Sequence, residues 1–321
     1  MRGSKGTKGP KGTKGTKAVG MIRTLGRPFP FVPLVTFVTF VSFVALMCAG
    51  TPLNAWQTKA PTRVVSLVPA LTEMLFEIGA GPQVVAVSSY DEDPPEVKQL
   101  PRVGALLDPD TERILSLRPD LVVTYGSQDD LKTQLTRAGI AFYDYRHGGL
   151  DTVLETIRGL GARVGHAAGA EGLASRIEAR IAAVRRAVAG RPRPRVLLVF
   201  GREPGSLRNI YASGGKGFLH DMLVAAGGDD VFADVERESV QVSTEQILAR
   251  RPDVILELRS TMTPQGSVEK EIAAWARLAS VPAVRDHRVY VLTGKTLVVP
   301  GPRVAEGVER MAAVLHPGAV Q

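Results

Sequence analysis

Tyr90, Tyr125, Tyr143, Tyr145 and Phe200 each stand at or just past the end of a short apolar run that reads as a β-strand. In open parallel sheets, ligands bind outside the carboxyl ends of the strands. An aromatic ring placed there offers an apolar face, and tyrosine adds a polar tip, which suits a large planar ligand. Tyr90, Tyr125 and Phe200 are open equally to ligand contact and to packing beneath loops. Tyr143 and Tyr145 lean toward packing. A second set is acidic: Glu112 and Glu245 each follow a threonine in the first turn of an expected helix. A carboxylate there favours the helix dipole and needs no other purpose. Two matched acids would also give two rims one charge each, a two-point dock for a two-fold symmetric partner presenting arginines.

Catalytic patterns do not appear. No Gly-x-Ser-x-Gly elbow supplies a nucleophile. Gly214-Gly215-Lys216-Gly217 resembles the end of a phosphate loop but has Gly217 where Ser or Thr should hold magnesium, and turn residues rather than a strand precede it. It reads as a cleft loop. The five histidines (His147, His166, His220, His287, His316) show no i, i+3 or i+4 pairing with another His or Cys, so no metal cage is encoded locally. His147 is set apart only by lying beside Gly148-Gly149, where the first half of the chain ends. Catalytic residues, metal ligands and resident cofactors are therefore all expected to be none.

The elements that would position these residues are written twice. Thr111 to Val123 is echoed 133 residues later by Thr244 to Leu256, with seven of thirteen positions identical and three more exchanging aliphatic residues. Solenoid units repeat every 20–50 residues, so this spacing instead fits two similar lobes of domain size. The strand openings Arg63 and Arg195 repeat at 132 residues. Between them, strand and helix alternate: strands at Arg63–Leu67, Val84–Val87, Leu121–Thr124 and Ile140–Tyr143, with helices at Glu73–Ile78 (capped by Thr72), after Asp110 or Thr111, and at Asp129–Ala138. Helical crossovers imply largely parallel sheets.

Residues 150–190 break this rhythm. Leu150 to Leu160 reads as one helix, Gly161 to Gly172 as a loose segment, and Leu173 to Val188 as a long helix with apolar residues at three- and four-residue spacing. That helix is long enough to bridge two lobes. From Arg195 the pattern restarts, with a strand to Phe200, helices at Gly217–Ala226 and around Ile272–Leu278, strands at Val254–Leu258 and Val289–Leu292, and a final helix at Val304–Leu315. The expected fold is α/β: two similar Rossmann-like lobes with mostly parallel sheets joined by one long rigid helix. The expected organisation is a basic low-complexity tail (1–20), a signal peptide or anchor (21–55), a first lobe (56–149), a helical segment (150–194) and a second lobe (195–316).

The net charge of +8 is local. Residues 1–27 carry eight Lys or Arg and no acid, which leaves 32 basic against 32 acidic residues in the remainder. A neutral folded part excludes a phosphate-tracking surface, so no nucleic-acid partner is expected. Phe29 to Ala49 is apolar and uncharged behind Arg23 and Arg27, as in a signal peptide or a membrane anchor. Small residues after it favour cleavage, and Met21 reads as the natural start. The single cysteine, Cys48, closes that run. It is either discarded with it or lipidated, although Met47 is large for a lipidation signal. A periplasmic or otherwise exported protein, with or without an anchor through this segment, is expected.

Arg63 to Glu73, Ser88-Ser89-Tyr90-Asp91 with Pro94-Pro95, and Glu112 to Val122 together resemble the cobalamin- and iron-siderophore-type periplasmic binding proteins. Val242 to Pro252 is especially similar to the cobalamin-binding branch. The resemblance runs from about 62 to 315. It implies two α/β lobes joined by a rigid helix, the architecture called class III. It also implies a monomer that delivers its ligand to an ABC permease homodimer with its ATPase, the permease's arginines meeting Glu112 and Glu245. The ligand positions it implies are Pro69, Tyr90, Tyr125, Phe200, Ser239 and Lys295. The cobalamin branch has tryptophans where this chain has Leu106, Tyr125 and Ser239, and an aspartate where it has Lys295. Cobalamin or another corrinoid is the leading ligand, with haem or a ferric siderophore the alternative. Lys295, Arg202, Arg208 and Arg303 are the cations that would favour an anionic group. An exported two-lobed enzyme or a sensor ectodomain stands further off.

Overall fold

The computed structural model describes residues 59–260 and 265–319, with the side chains of residues 265–267 and 295–296 outside that description. The expectations for residues 1–20 and 21–55, Cys48 and the apolar run included, lie outside the described residues. Among the described residues no helix is long and apolar enough to cross a membrane.

The first sheet is all parallel, in the order β2 (Val84–Val87), β1 (Val64–Ser66), β3 (Leu121–Tyr125), β4 (Ala141–Tyr145). Its central strands are buried on both faces, as their aliphatic runs Val64-Val65 and Leu121-Val122-Val123 require. Helix α1 (Pro69–Glu77) begins with proline at its first position, where a missing N–H costs nothing. Thr72 therefore does not cap it, contrary to expectation. It is buried one turn in, and its hydroxyl donates to Ser66 Oγ at 2.8 Å. Helix α2 (Thr111–Ser116) is capped by Asp110, whose carboxylate accepts from the Arg113 N–H at 2.9 Å. Helix α3 (Asp129–Arg137) completes this half.

The Gly161–Gly172 segment is not loose. Helix α4 (Leu150–Val164) runs on to a left-handed Gly165, and α5 (Ala167–Val188) starts two residues later. A Cβ on Gly161 would strike that of Ala170, and one on Gly169 would strike the Ile78 carbonyl oxygen. These glycines permit close approach to neighbouring elements rather than breaking a helix. At 22 residues α5 spans about 33 Å, and its buried stripe of Leu173, Ile177, Ile181, Val184 and Val188 joins one core with residues of both sheets. Helix α4 lies alongside, and the Leu150 N–H donates to Asp221 Oδ2 in the second half at 2.8 Å.

The second sheet is mixed. Strands β5 (Arg195–Gly201), β9 (Val254–Arg259), β10 (Val289–Thr293) and the short β7 (Asp229–Asp230) are parallel, while β6 (Ile210–Ser213) runs antiparallel between β5 and β8 (Ser239–Val242). The expectation of helical crossovers alone missed this hairpin-type excursion, because β6 and β8 are too short and too polar to stand out in sequence. Helices α6 (Gly217–Ala225), α7 (Thr244–Arg250), α8 (Gln265–Ala274), α9 (Pro282–Arg285) and α10 (Val304–Leu315) cover it. Each sheet also has an outer core of its own, around Val65, Val122 and Leu135 in one and Leu197, Phe232 and Trp275 in the other.

Candidate functional site: an aromatic cleft

Parallel pairing sets Tyr125, the last residue of β3, beside Tyr145, the last residue of β4. Two residues on, His147 turns back toward them. The Tyr125 and Tyr145 ring centroids are 6.0 Å apart, and His147 lies 5.0 Å from the first and 5.3 Å from the second, both edge-on. Tyr145 is buried, and its hydroxyl stands 3.2 Å from His147 Nδ1. Buried Gln128 fixes the end of β3: its side-chain oxygen accepts from the Tyr125 N–H at 2.8 Å, and its amide donates to the Leu106 carbonyl at 3.0 Å. Leu107, next along, is 91% exposed.

Burial raises the Tyr145 phenol well above its ordinary range, and burial followed by the Glu238 charge raises Tyr125 as well. Burial lowers the His147 pKa, against a smaller upward pull from Glu238. All three rings are neutral at physiological pH.

Facing this cluster from the second half are Phe200, near the end of β5, the Lys216–Leu219 start of α6, Glu238 and Ser239 at the start of β8, and the loop residues Val298 and Pro300. With His147 they line a cavity of about 220 Å³. A second cavity of about 370 Å³ takes Pro69, Glu73, Tyr90, Glu92 and Asp93 from one side and Ser260 and Val299 from the other. The two lie on the same Val298–Pro300 segment, at the mouth between the halves where small-molecule ligands are held. Tyr90 stands 73% exposed within it.

Of the residues expected at the site, Phe200 and Ser239 line the first cavity, Pro69 and Tyr90 the second, and Tyr125 backs His147. The Lys295 side chain lies outside the described part. Tyr143 turns away, its hydroxyl donating to the Thr156 carbonyl of α4 at 3.5 Å. Glu112 and Glu245 are exposed on the first turns of α2 and α7 and line neither cavity.

The three arginines expected to favour an anion are spent elsewhere. The Arg202 side chain is fully buried and pairs with Glu257 at 2.9 Å and Glu271 at 2.7 Å, with Trp275 stacked 5.5 Å away. Arg208 pairs with Glu203 at 3.1 Å, and Arg303 with Glu73 at 3.0 Å. Lys216, at the cleft, pairs with Glu236 at 3.2 Å. The Gly214–Lys216 loop is laid against residues 235–238 by backbone hydrogen bonds, and Cβ atoms on Gly214 and Gly215 would strike the Arg237 and Ala233 carbonyl oxygens. Close packing thus accounts for its glycines, as a cleft loop requires.

Sequence reading underrated His147 and missed Glu238 and Gln128. His147 carried one faint signal, its place beside Gly148-Gly149. Gln128 carried none, because only the fold brings residues 106 and 125 to its two ends. Among the described residues, no group of three or more His, Cys, Asp or Glu is placed to hold a metal ion.

Comparison with known proteins agrees with this architecture. The vitamin B12-binding protein of Salmonella typhimurium is 34% identical over 242 residues, covering 75% of this chain and 86% of the relative. The crystal structure of the periplasmic vitamin B12-binding protein of Vibrio cholerae superposes with a TM-score of 0.68 at 27% identity, covering 80% of this chain and 97% of that one. A periplasmic haem-binding protein from Roseiflexus sp. RS-1, solved in apo form, superposes with a TM-score of 0.66 at 29% identity, covering 80% and 98%. The relatives are binding proteins rather than enzymes. The sequence model of the periplasmic binding protein family matches residues 64–296, and the chain belongs to that family.

Proposed function

We propose that this protein is the solute-binding component of an ABC importer for cobalamin or a related corrinoid. It captures the ligand in the cleft and delivers it to a permease homodimer driven by its ATPase. It acts as an exported monomer, and the corrinoid is cargo rather than a cofactor of any reaction.

The observation that carries the choice of ligand is the charge of the cleft. His147, Phe200 and Phe218 put rings on the cavity wall, Tyr125 and Tyr145 stand behind His147, and Glu238 places a carboxylate among them. The described arginines that would answer an acid are already paired. A corrinoid, rimmed with amides around a cationic metal centre, suits that wall, whereas the two carboxylates of haem meet repulsion from Glu238. The 34% identity with a protein named for vitamin B12 supports the same choice. Haem is the second reading, favoured by His147 and Tyr145, whose side-chain types bind iron, and by the haem-binding neighbour.

Calorimetric titration of the full-length chain with cyanocobalamin, haem and a ferric siderophore tests this. Saturable one-to-one binding of cobalamin is expected. Saturable binding of haem with no heat from cobalamin would transfer the assignment to haem and leave the family and fold untouched.

A further inference from the structure

His147 has more in common with a metal ligand than with a packing residue. Its Nδ1 is tied to the Tyr145 hydroxyl at 3.2 Å, while its Nε2 has no hydrogen-bond partner among the described residues and the ring lines the cleft. The tyrosine hydroxyl can serve Nδ1 in either tautomer. When Nδ1–H donates to it, the lone pair sits on Nε2. An imidazole whose second nitrogen is held by another side chain has the arrangement that fixes the tautomer and orientation of metal-binding histidines. Tyr125 and Tyr145 hold the ring edge-on from two sides, limiting its rotation. A macrocycle brings four in-plane nitrogen donors of its own. One protein nitrogen is then enough, and no cluster of protein ligands is required.

We propose that His147 Nε2 is an axial ligand to the cobalt of the bound corrinoid, so that the cleft selects corrinoids with an exchangeable axial position. This assignment rests on the corrinoid reading above. The step is a ligand exchange without redox change: the Nε2–cobalt bond forms, the bond from cobalt to its axial water breaks, and the water leaves. Neutral imidazole enters, so no proton is released. A corrinoid that presents a cyanide-bearing face to His147 undergoes no such exchange there and is bound by the cleft walls alone.

The test compares aquocobalamin, whose axial water exchanges, with cyanocobalamin. Both are titrated into the full-length protein and followed by visible absorption and calorimetry. Wild type is expected to shift the visible bands of aquocobalamin in a saturable one-to-one manner and to leave those of cyanocobalamin unmoved. His147→Gln is expected to abolish the shift and to weaken aquocobalamin binding far more than cyanocobalamin binding, with an unchanged thermal melt showing that the variant is folded. Tyr145→Phe is expected to weaken aquocobalamin binding by about tenfold, as for loss of the partner that orients a metal-bound histidine. Aquocobalamin bound with an unshifted spectrum, or a shift that survives in His147→Gln, would overturn the axial assignment while leaving the corrinoid reading intact. Absence of binding by either corrinoid would overturn that reading and the axial assignment with it.

Discussion

Arg303, the residue before α10, reaches Glu73 on α1 with its Nη2 3.0 Å from Oε1, and the same nitrogen lies 3.4 Å from Asp93. The pair joins the two halves at the edge of the cleft. Burial raises the Glu73 pKa, and Arg303 opposes that rise, while Asp93 and Asp91 add to it. Removing the guanidinium leaves a largely buried carboxylate among other acids. Arg303→Ala is therefore expected to destabilise the protein by about 1–2 kcal/mol, less than for a fully buried pair because Arg303 is partly exposed. Denaturant melts of Arg303→Ala, Glu73→Gln and the double variant provide the check. A real pair makes the double variant less destabilised than the sum of the singles, whereas strict additivity would show that the contact contributes nothing.

The duplicated sequence motif is a duplicated hydrogen-bond device. Asp120 accepts the Arg63 N–H at 2.9 Å, and Asp253 accepts the Arg195 N–H at 3.0 Å. In each half the same arginine donates to a carbonyl at the end of the preceding helix at 2.7 Å, Leu117 in one case and Arg250 in the other. Arg118 and Arg251 take matching left-handed conformations, φ 47° and 49°. Burial pushes the Asp120 pKa up, but the bonds from Thr62 and Arg63 outweigh it and hold the carboxyl below its ordinary value. A lowered folded pKa adds stability that is present above the unfolded value, about 4, and is lost as pH falls through the lower folded one. Asp120→Asn is thus expected to lower Tm at pH 7, with the gap to wild type closing as pH is taken below 4. A gap independent of pH would remove ionised Asp120 from the account.

Aromatic contacts should dominate ligand affinity. Tyr125→Ala and Phe200→Ala are each expected to weaken cyanocobalamin binding by about 1–3 kcal/mol, the usual cost of truncating a buried aromatic anchor. Calorimetry on the two variants measures this directly. Unchanged affinity in both would place the ligand elsewhere than between β3, β4 and β5.

The bridging helix predicts small lobe motion. Helix α5 is continuous from Ala167 to Val188, and its apolar stripe belongs to a core shared with both sheets. Hinge motion needs a few residues free to absorb changes of dihedral angle, which such a helix lacks. Scattering curves of the protein with and without cyanocobalamin should superimpose. A contraction of the maximum dimension by several Å on binding would contradict this.

The alternating order, the second copy and the long helix were legible in sequence because each depends on local pattern: aliphatic runs, proline and glycine punctuation, and a 3.6-residue stripe. The end of β4 was not. Tyr143 and Tyr145 look alike in sequence and, two residues apart on one strand, share a face of the sheet, yet the first reaches α4 while the second, at the strand's carboxyl end, reaches His147. Arg202 was misjudged for a related reason. A cation close after a strand end looks like a ligand contact until Glu257 and Glu271, 55 and 69 residues away, are seen to enclose it. Pairings across such separations leave no trace in spacing.

For the proposed docking, the duplication would have its most direct functional consequence. Glu112 and Glu245 occupy the same position in the two copies, each exposed in the first turn of a capped helix, α2 behind Asp110 and α7 behind the Ser243–Gln246 capping box. The Ser243 hydroxyl, more than any other neighbour, lowers the Glu245 pKa, so that carboxylate stays ionised well into the acid range. A homodimeric permease would present two equivalent basic patches, and the approximate repeat lets one face of the protein answer both. Exposed rim charges act on encounter and orientation more than on packing. Glu112→Arg and Glu245→Arg are accordingly expected to reduce ligand uptake in cells and to flatten its salt dependence, with cyanocobalamin affinity unchanged because neither residue lines the cleft. Uptake assays run beside calorimetry on the same variants separate the two roles. Lost uptake with intact binding identifies the dock, and normal uptake in both variants would reduce these glutamates to favourable charges at helix starts.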